Sequence, residues 1–465
     1  MDNKPPSPAL LLARLQRIPT TWHSWVIVLL AAGALVIEAL NIGSLSITLP
    51  IIRKTMALTP RDTGMLAASS ALGIVVGMIP TGYLADRFGR KRLLIFGVMW
   101  FAGGTAISAF SPNFATLVIL RGLTGFGMAP AFIMPYTLTS EIVSATTRSA
   151  FAGLLETALG IGYLLPPTIG MAVIPHFAPE VGWRVFTFLC GVPVVYVVLI
   201  WKFLPESPRW LHRVGRYHEA DGIICRFEAT AERKLGARLP LAVVDEVTES
   251  ASVGDHAAPK FWWSLGVVWT PPYLFRTIVM TIGATSLFSM FYISVNYLPS
   301  IFIEKHVVLE SALFLTLITT ATQIPWKIMN GIAAEHFGRK KVFFVYTVIA
   351  AISTYEFTLA QSTLAMVLWG MVMFSSSGAS PSFKMWYAEQ YPTRIRATGQ
   401  SVVEGLGGRF FGGVVWTAVF PVLLSNVGLH VSMMIGVAIM IAGMLIVTIF
   451  APETSKRTVE SLEAA

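Results

Sequence analysis

The stretch GYLADRFGRKR, from Gly82 to Arg92, decides the fold because a degenerate copy of it, GIAAEHFGRKK, runs from Gly331 to Lys341. Each copy ends in a cluster of basic residues and lies between two apolar runs. An apolar run of roughly 20 residues is long enough to cross a lipid bilayer as a helix. The stretch therefore predicts a short basic loop between two transmembrane helices, and this unit occurs twice.

Two other motifs repeat at nearly the same offset. The segment SEIVSATTRSAFAG around Glu141 recurs as AEQYPTRIRATGQ around Glu389, and PESPR at Pro205 recurs as PETSKR at Pro452. Internal repeats with one period indicate a duplicated structural unit. We therefore expect two homologous halves, an arrangement in which a ligand site lies near the midplane of the bilayer, between the repeats.

The composition places the chain in a membrane. Of its 465 residues, 54% are hydrophobic and only 13% are charged, whereas soluble domains carry about 25% charged residues. Apolar runs bounded by charges or turn residues predict an all-α membrane protein with twelve transmembrane helices in two pseudo-symmetric six-helix bundles. The predicted spans are 24–50, 62–84, 93–110, 114–137, 148–174, 184–203, 275–303, 310–333, 341–359, 363–387, 396–424 and 428–450.

These spans divide the chain into two bundles and three polar segments. We expect an N-terminal segment at 1–23, a first bundle at 24–204, a linker at 205–273, a second bundle at 274–451 and a tail at 452–465. The first 22 residues are polar and lack a small-residue cleavage site, so we expect no cleavable signal peptide. The chain has only two cysteines, which form no disulfide framework or metal cluster, and no cofactor is expected.

The net charge of +9 follows membrane topology and forms no continuous stripe that would bind nucleic acid. In membrane proteins, short loops rich in Lys and Arg face the cytoplasm. Arg90 and Lys91 follow span 2 and Arg339 follows span 8, whereas the loop after span 1, with Arg53 and Lys54, is an exception. We therefore expect a cell inner (plasma) membrane protein with both termini and the linker in the cytoplasm.

The motifs resemble the loop signatures of the major facilitator superfamily along the whole chain. The pattern G-x-L-A-D-R-x-G-R-[KR]-[KR] matches Gly82 to Arg92, and P-E-S-P-R-[WY] matches Pro205 to Trp210. Within the superfamily, PESPRW and PETSKRTVE resemble sugar porters. The segments TSEIVSATTRSAFAGLLE, TQIP and AEQYPTRIRATG are more similar to nicotinate and aromatic-acid transporters related to organic-ion carriers. The resemblance implies a secondary transporter rather than an enzyme.

The repeated loops are expected to act as a latch on the inner side. Asp86 can bond helix ends and arginines across the halves, while Gly82 and Gly89 permit close approach and a tight turn. The second copy carries Glu335 in place of Asp86, which predicts a weaker latch. The alternative is that the basic residues only set the topology. The expected gating residues are Gly82, Asp86, Arg87, Gly89, Arg90, Glu141, Arg148, Glu335, Gly338, Arg339, Glu389 and Arg396.

Several charged side chains lie within the predicted spans, where each costs at least ~2.5–3.5 kcal/mol and is a candidate for function. The resemblance implies an acidic residue in helix 1 where this chain has Asn41, so the chain departs from the family pattern there. Glu38 lies about one turn earlier on the same helical face. We expect Glu38 to carry the coupled proton and to pair with Arg121, and a static structural ion pair is the alternative.

Basic residues within the spans favour an organic anion over a sugar, because Arg and Lys recognise carboxylates. Lys384 lies near the inner end of its span, so snorkelling to the cytoplasm is an alternative for its side chain. Glu156 is a second candidate proton site or a substrate partner, with a structural salt bridge to Arg409 or Lys327 as the alternative. The expected substrate-binding residues are Asn41, Glu156, Tyr292, Asn296, Gln323, Trp326, Lys327, Lys384, Glu404 and Arg409.

Two further patterns bear on the substrate. Sugar porters carry paired glutamines in helix 7, and this chain has Ser286 and Leu287 in those places. The aromatic side chains of Tyr292, Trp326 and Trp386 are suited to stack on a flat ring, although such residues more often pack against other helices. These patterns favour an aromatic acid.

The leading hypothesis is proton-coupled symport of a small organic anion by a monomer in the lipid bilayer, with proton coupling through Glu38, Arg121 and Glu156. A sugar or polyol symporter, a uniporter and a proton-driven exporter are alternatives within transport. A membrane receptor that senses a nutrient is the alternative outside it.

Overall fold

The computed structural model describes residues 8–143, 147–242, 244, 261–377, 380–391 and 395–454. Within these ranges the regular secondary structure is helical, without a β-strand.

The first half contains a short N-terminal helix and six crossings. The first four crossings are single helices, and the last two are each built from two shorter helices. The fifth crossing breaks just before Pro166 and Pro167, which cannot donate backbone hydrogen bonds. The helices are α1 (Pro8–Gln16), α2 (Trp22–Thr55), α3 (Pro60–Phe88), α4 (Arg90–Ser108), α5 (Phe114–Ile142), α6 (Arg148–Gly162), α7 (Leu165–Val173), α8 (Pro179–Gly191) and α9 (Tyr196–Phe203).

The linker and the second half follow the same helical plan. A stretch of crossing 11 is wound as a π-helix, which we call the π segment. The helices are α10 (Pro208–Arg213), α11 (Tyr217–Leu235), α12 (Phe261–Val267), α13 (Tyr273–Glu304), α14 (Leu309–Ala321), α15 (Gln323–Phe337), α16 (Arg339–Leu359), α17 (Thr363–Ser377), α18 (Ser380–Glu389), α19 (Arg396–Val402), the π segment (Val403–Trp416) and α20 (Thr417–Phe450).

These helices account for twelve crossings. Among the described residues, nine helical segments are long and apolar enough to span a membrane, and one of them, Thr398–Phe450, holds two crossings divided at Gly428. The remaining two crossings are α4 and the α14–α15 pair. The predicted all-α architecture of two six-helix bundles is confirmed.

Each half starts and finishes at one end of the molecule, which we call the basic end because the loops at Gly89 and Gly338 lie there. At the opposite, far end, the last turns of α2 and α13 meet around a cavity of about 890 Å³ that Ile51 and Ile303 line. The largest apolar cluster joins the halves toward the far end, through residues such as Leu313. Near the basic end, each half instead has its own apolar cluster.

Helix α1 docks on the linker helix α11 at the basic end. Arg14 pairs with Glu228 at 2.6 Å and with Asp221 at 2.5 Å, and Arg17 adds a second bond to Glu228. Burial acts to raise the pKa of Glu228, but the hydrogen bonds from Arg14 and Arg17 outweigh burial and lower that pKa. The apolar face of α1 packs into the same cluster as Phe227. The N-terminal segment is therefore fastened to the linker by charge and by apolar packing together.

Candidate functional site

A cavity lies between the two halves, near the middle of the helices. Its volume is about 40 Å³, which holds water but not a ring-sized molecule, so the cavity is closed around its side chains in this structure. Both halves contribute to it. Its lining residues are Glu38, Ile42, Phe132, Glu156, Leu159, Tyr163, Leu287, Phe288, Phe291, Tyr292, Lys327, Lys384, Glu404 and Arg409.

An ion pair between Glu156 of α6 and Lys384 of α18 connects the halves across this cavity. The Lys384 ammonium donates to Glu156 Oε1 at 3.0 Å, and the Tyr136 hydroxyl donates to the same oxygen at 3.0 Å. Lys384 thus reaches into the cavity instead of snorkelling toward the basic end. The negative charge of Glu156 is balanced by Lys384, and Lys327 is a second positive charge that acts on it.

A second acid and base pair comes from the π segment. The Arg409 guanidinium lies 3.7 Å from Glu404 Oε1, and the Tyr387 hydroxyl donates to Glu404 Oε2 at 3.0 Å. The guanidinium also stacks over the ring of Phe132, 4.2 Å from its centroid. An arginine held this way presents a flat, charged face to a ligand.

Glu38 is the third acid of the cavity, and it has no polar partner there. Its side chain is fully buried, and neither carboxylate oxygen accepts a hydrogen bond from a described residue. The cations that act on its carboxylate most strongly are Arg409 and Lys384. The pair that the sequence suggested between Glu38 and Arg121 is not formed, which corrects that expectation.

Arg121 points away from the cavity. Both of its terminal nitrogens approach the Ser44 hydroxyl at 3.4 Å, next to Cys190. Asn41 lies in the same region, where its amide donates to the backbone oxygens of Ile37 and Cys190. Glu38 and Ser44 lie on α2 but face different surroundings, because six residues of an α-helix turn the chain well past one revolution.

Four other expected substrate residues do not line the cavity. Asn41 lies beside Cys190, and Asn296 donates to Thr417 Oγ1 at 3.4 Å. Gln323 is fully buried, one turn before Lys327 on α15. Trp326 packs edge-on against Tyr346. Trp386, which the sequence offered for stacking, donates to the Pro452 oxygen near the basic end. Of the residues expected to bind substrate or carry the proton, those that line the cavity are Glu38, Glu156, Tyr292, Lys327, Lys384, Glu404 and Arg409.

The latch of the first half is built around Gly89, whose φ of 96° favours glycine. Glu206 Oε1 accepts hydrogen bonds from the backbone N–H groups of Arg90 and Lys91 at 2.9 and 3.0 Å, at the start of α4. The Arg90 side chain pairs with Glu141 at 3.0 Å. A carboxylate at a helix N-terminus satisfies free donors and the helix dipole.

The second half repeats this device closely. Gly338 has a φ of 94°, and Glu453 accepts from the N–H groups of Arg339 and Lys340 at 3.2 and 3.0 Å. The Arg339 side chain pairs with Glu389 at 3.0 Å. The roles of Glu206 and Glu453 were not predicted, although the PE dipeptide that repeats at Pro205 and Pro452 was a usable signal.

Three gating expectations need correction. Asp86 bonds Arg90 at 3.2 Å and Arg213 of the linker at 2.5 Å, so among its described partners none lies in the second half. Gly82 has open space beside it, so its close approach to another helix is not found. Glu335, which occupies the position of Asp86 in the second copy, is exposed. Among the described residues it forms no ion pair like those of Asp86.

Among the described residues, two arginines of the gating set contact near neighbours in the sequence. Arg87 is exposed and lies over Phe88, and Arg396 donates to the Tyr391 oxygen at 3.3 Å. The side chain of Arg148 lies outside the described residues.

Comparisons with known proteins show the family of the chain. The family model described as "Sugar (and other) transporter" matches residues 37–465. The chain is 27% identical to the niacin transporter NiaP of Acinetobacter baylyi, over 97% of this chain and 99% of the relative. It is 26% identical to the 4-hydroxybenzoate transporter PcaK of the same organism, over 89% and 88%.

A solved structure shares the fold. The inward open conformation of the Escherichia coli xylose transporter XylE superposes with a TM-score of 0.74 at 19% identity, covering 95% of this chain and 99% of XylE. The family match spans nearly the whole chain, and the duplicated loops and twelve crossings agree with it. The protein therefore belongs to the sugar (and other) transporter family of the major facilitator superfamily.

Proposed function

We propose that the protein is a proton-coupled symporter that takes up a small aromatic carboxylate across the cell inner membrane, with both termini cytoplasmic. The observation that carries the proposal is the presence of three cations, Lys327, Lys384 and Arg409, among the residues that line the cavity. Such cations suit a carboxylate, whereas a sugar needs mainly neutral hydrogen-bonding groups. Two relatives support the same class, because they are named transporters of niacin and of 4-hydroxybenzoate.

The charges of the cavity support coupling of one proton to one substrate. The three lining cations face three lining acids, so the lining is neutral when all six groups are ionised. A proton on one acid leaves one net positive charge, which one monovalent carboxylate neutralises. An uncompensated charge inside the membrane is costly, so the proton and the carboxylate each make the other's presence favourable.

Glu38 is the acid best placed to carry that proton. Glu156 is bonded by Lys384 and Tyr136, and Glu404 is bonded by Tyr387 and lies near Arg409. Glu38 is buried without such a partner. Burial without a hydrogen-bond donor destabilises the ionised form of a carboxyl group, and proton uptake removes this destabilisation.

The link between Glu156 and Lys384 offers a route from binding to movement. A substrate carboxylate that bonds Lys384 competes with Glu156 for the same ammonium. Release of Glu156 loosens the connection between α6 and α18, which belong to different halves. The halves then change their relative tilt, which moves access from one end to the other.

Uptake into proteoliposomes tests the proposal. We expect nicotinate or 4-hydroxybenzoate, and not xylose, to accumulate against its gradient when the outside is more acidic, and a protonophore should abolish this accumulation. Uptake that equilibrates but ignores the imposed pH gradient would contradict symport. Uptake of xylose alone would contradict the anion.

A variant pair separates coupling from binding. Glu38→Gln should lose uphill accumulation while it retains exchange of substrate across the membrane. Glu180→Gln, a matched change at an exposed residue of the far end, should retain both. If Glu38→Gln accumulates substrate as the wild type does, Glu38 is not the coupling group. If the wild type also shows only downhill flux, the protein is a uniporter. Asn41 favours this alternative, because the family resemblance implies an acidic residue at that position of helix 1.

A further inference from the structure

Arg121 is a buried cation without an acidic partner. It lies about two turns after the start of α5 at Phe114, and it is only 1% exposed. Its terminal nitrogens reach only the Ser44 hydroxyl, at 3.4 Å each, and its Nε has no hydrogen-bond partner in the described chain. Strong N–H···O bonds are shorter, at about 2.9 Å. The guanidinium is therefore weakly held.

The three cations that line the central cavity differ in this respect. Lys384 and Arg409 each have a carboxylate within 4 Å, and Lys327 is attracted by Glu156. Among the described residues, Arg121 forms no ion pair with a carboxylate, and its ionisable neighbour is the thiol of Cys190. An ion buried without compensation costs several kcal/mol even after the protein relaxes. One negative charge beside the Arg121 guanidinium would therefore be strongly favourable.

The polar side chains near Arg121 are neutral, and the Ser44 hydroxyl is able to donate. Ser44 carries a hydroxyl that now donates to the Asn41 backbone oxygen at 2.7 Å. Asn41 lies one turn before Ser44, and its side-chain oxygen has no partner. Both residues are fully buried, and neither lines the central cavity. Rotation of the hydroxyl would add a second donor beside the guanidinium.

We propose that Arg121 and Ser44 form a second anion site, distinct from the central cavity, that binds a small monovalent anion. The required chemistry is one negative charge on a small group, because Arg121 and Ser44 are both buried and neither lines the central cavity. A halide such as chloride meets this requirement, and so does the carboxylate of a very small acid. The site does not depend on the proposed proton coupling or on the identity of the transported substrate.

Thermal unfolding of the purified protein tests the site. The protein is held in sodium gluconate at constant ionic strength, and chloride, bromide, acetate or benzoate replaces gluconate in steps. We expect Tm to rise and saturate with chloride and bromide, because a ligand that binds only the folded state stabilises it. A rise with acetate but not with halides would assign the site to carboxylates. An equal Tm in all these salts would overturn the proposal.

Variants locate the effect. Asn41→Asp places a carboxylate one turn from Ser44, so this variant should be stable in gluconate and should lose the chloride response. Arg121→Gln should also lose the chloride response. If Arg121→Gln does not fold, Asn41→Asp still tests the assignment. Cys190→Ala and Glu38→Gln should keep the response, which separates this site from thiol chemistry and from the proton site. A full chloride response in Asn41→Asp would contradict the assignment to Arg121.

Discussion

Glu404 and Arg409 face each other at 3.7 Å although they are five positions apart in the sequence. In an α-helix of 3.6 residues per turn, side chains at that spacing point about 140° apart. The π segment has i→i+5 hydrogen bonds, which bring both side chains to one side of the helix. The winding of the segment is therefore what places an acid and an arginine together in the cavity.

The flat face of Arg409 leads to a kinetic prediction. Arg409→Lys keeps the charge but loses the planar group that stacks over Phe132. We expect KM for the transported carboxylate to rise about tenfold, or about 1.4 kcal/mol, because an ammonium lacks the paired donors of a guanidinium. Uptake kinetics in proteoliposomes measure this. Arg61→Lys, at an exposed position, is the control, and an unchanged KM in Arg409→Lys would exclude Arg409 as the anchor.

The Glu156–Lys384 pair predicts a non-additive effect on stability. Glu156→Gln leaves Lys384 without its partner, and Lys384→Met leaves the Glu156 carboxylate without its own. Each single change should lower the free energy of unfolding by up to about 3 kcal/mol, whereas the double variant should be more stable than either single. Thermal unfolding in detergent measures all three. Additive losses would mean that the two groups do not interact.

The positive φ of the latch glycines predicts a selective intolerance of side chains. Gly89→Ala places a Cβ 2.3 Å from Glu206 Oε2, and Gly338→Ala places one 2.8 Å from Glu453 Oε2. The backbone conformation adds about 1–3 kcal/mol of strain for any residue other than glycine. We expect a lower Tm for both variants and little change for Gly82→Ala, where space is open. Equal effects at the three positions would contradict this account.

The lowered pKa of Glu228 predicts how docking of α1 depends on pH. Because the pKa in the docked state lies below the ordinary value, about 4.3, the contribution of Glu228 is fully present above that ordinary value. It is lost as pH falls through the lower, docked pKa. The protection of residues 8–16 from hydrogen exchange, taken relative to the intrinsic exchange rate at each pH, should therefore be constant near neutral pH and fall only in strong acid. In Glu228→Gln this protection should be low at neutral pH as well.

Most crossings were predictable because they are apolar runs of sufficient length, a property of composition that tertiary contacts do not change. The breaks within crossings were harder. The sequence presented 148–174 as one span, yet it forms two helices, since consecutive prolines remove donors that a continuous helix needs. The π segment had no local signal beyond its glycines, because its winding depends on how it packs against α13.

The site was partly predictable for a similar reason. Charged residues within apolar runs pointed to Glu38, Lys384 and Arg409, which do line the cavity. Their pairing was not predictable, because it depends on the rotation of each helix about its own axis. Arg121 illustrates this, since it was expected beside Glu38 and lies beside Ser44. The partners Tyr136 and Tyr387 carried no signal, because neutral aromatic residues are common in membrane helices.

Glu206 follows the first bundle and Glu453 follows the second, and each bonds the basic loop of its own half. Neither set of contacts joins the two halves. The tilting of the halves that we propose would therefore leave both sets intact. Two halves produced as separate chains would each keep the contacts of its own loop.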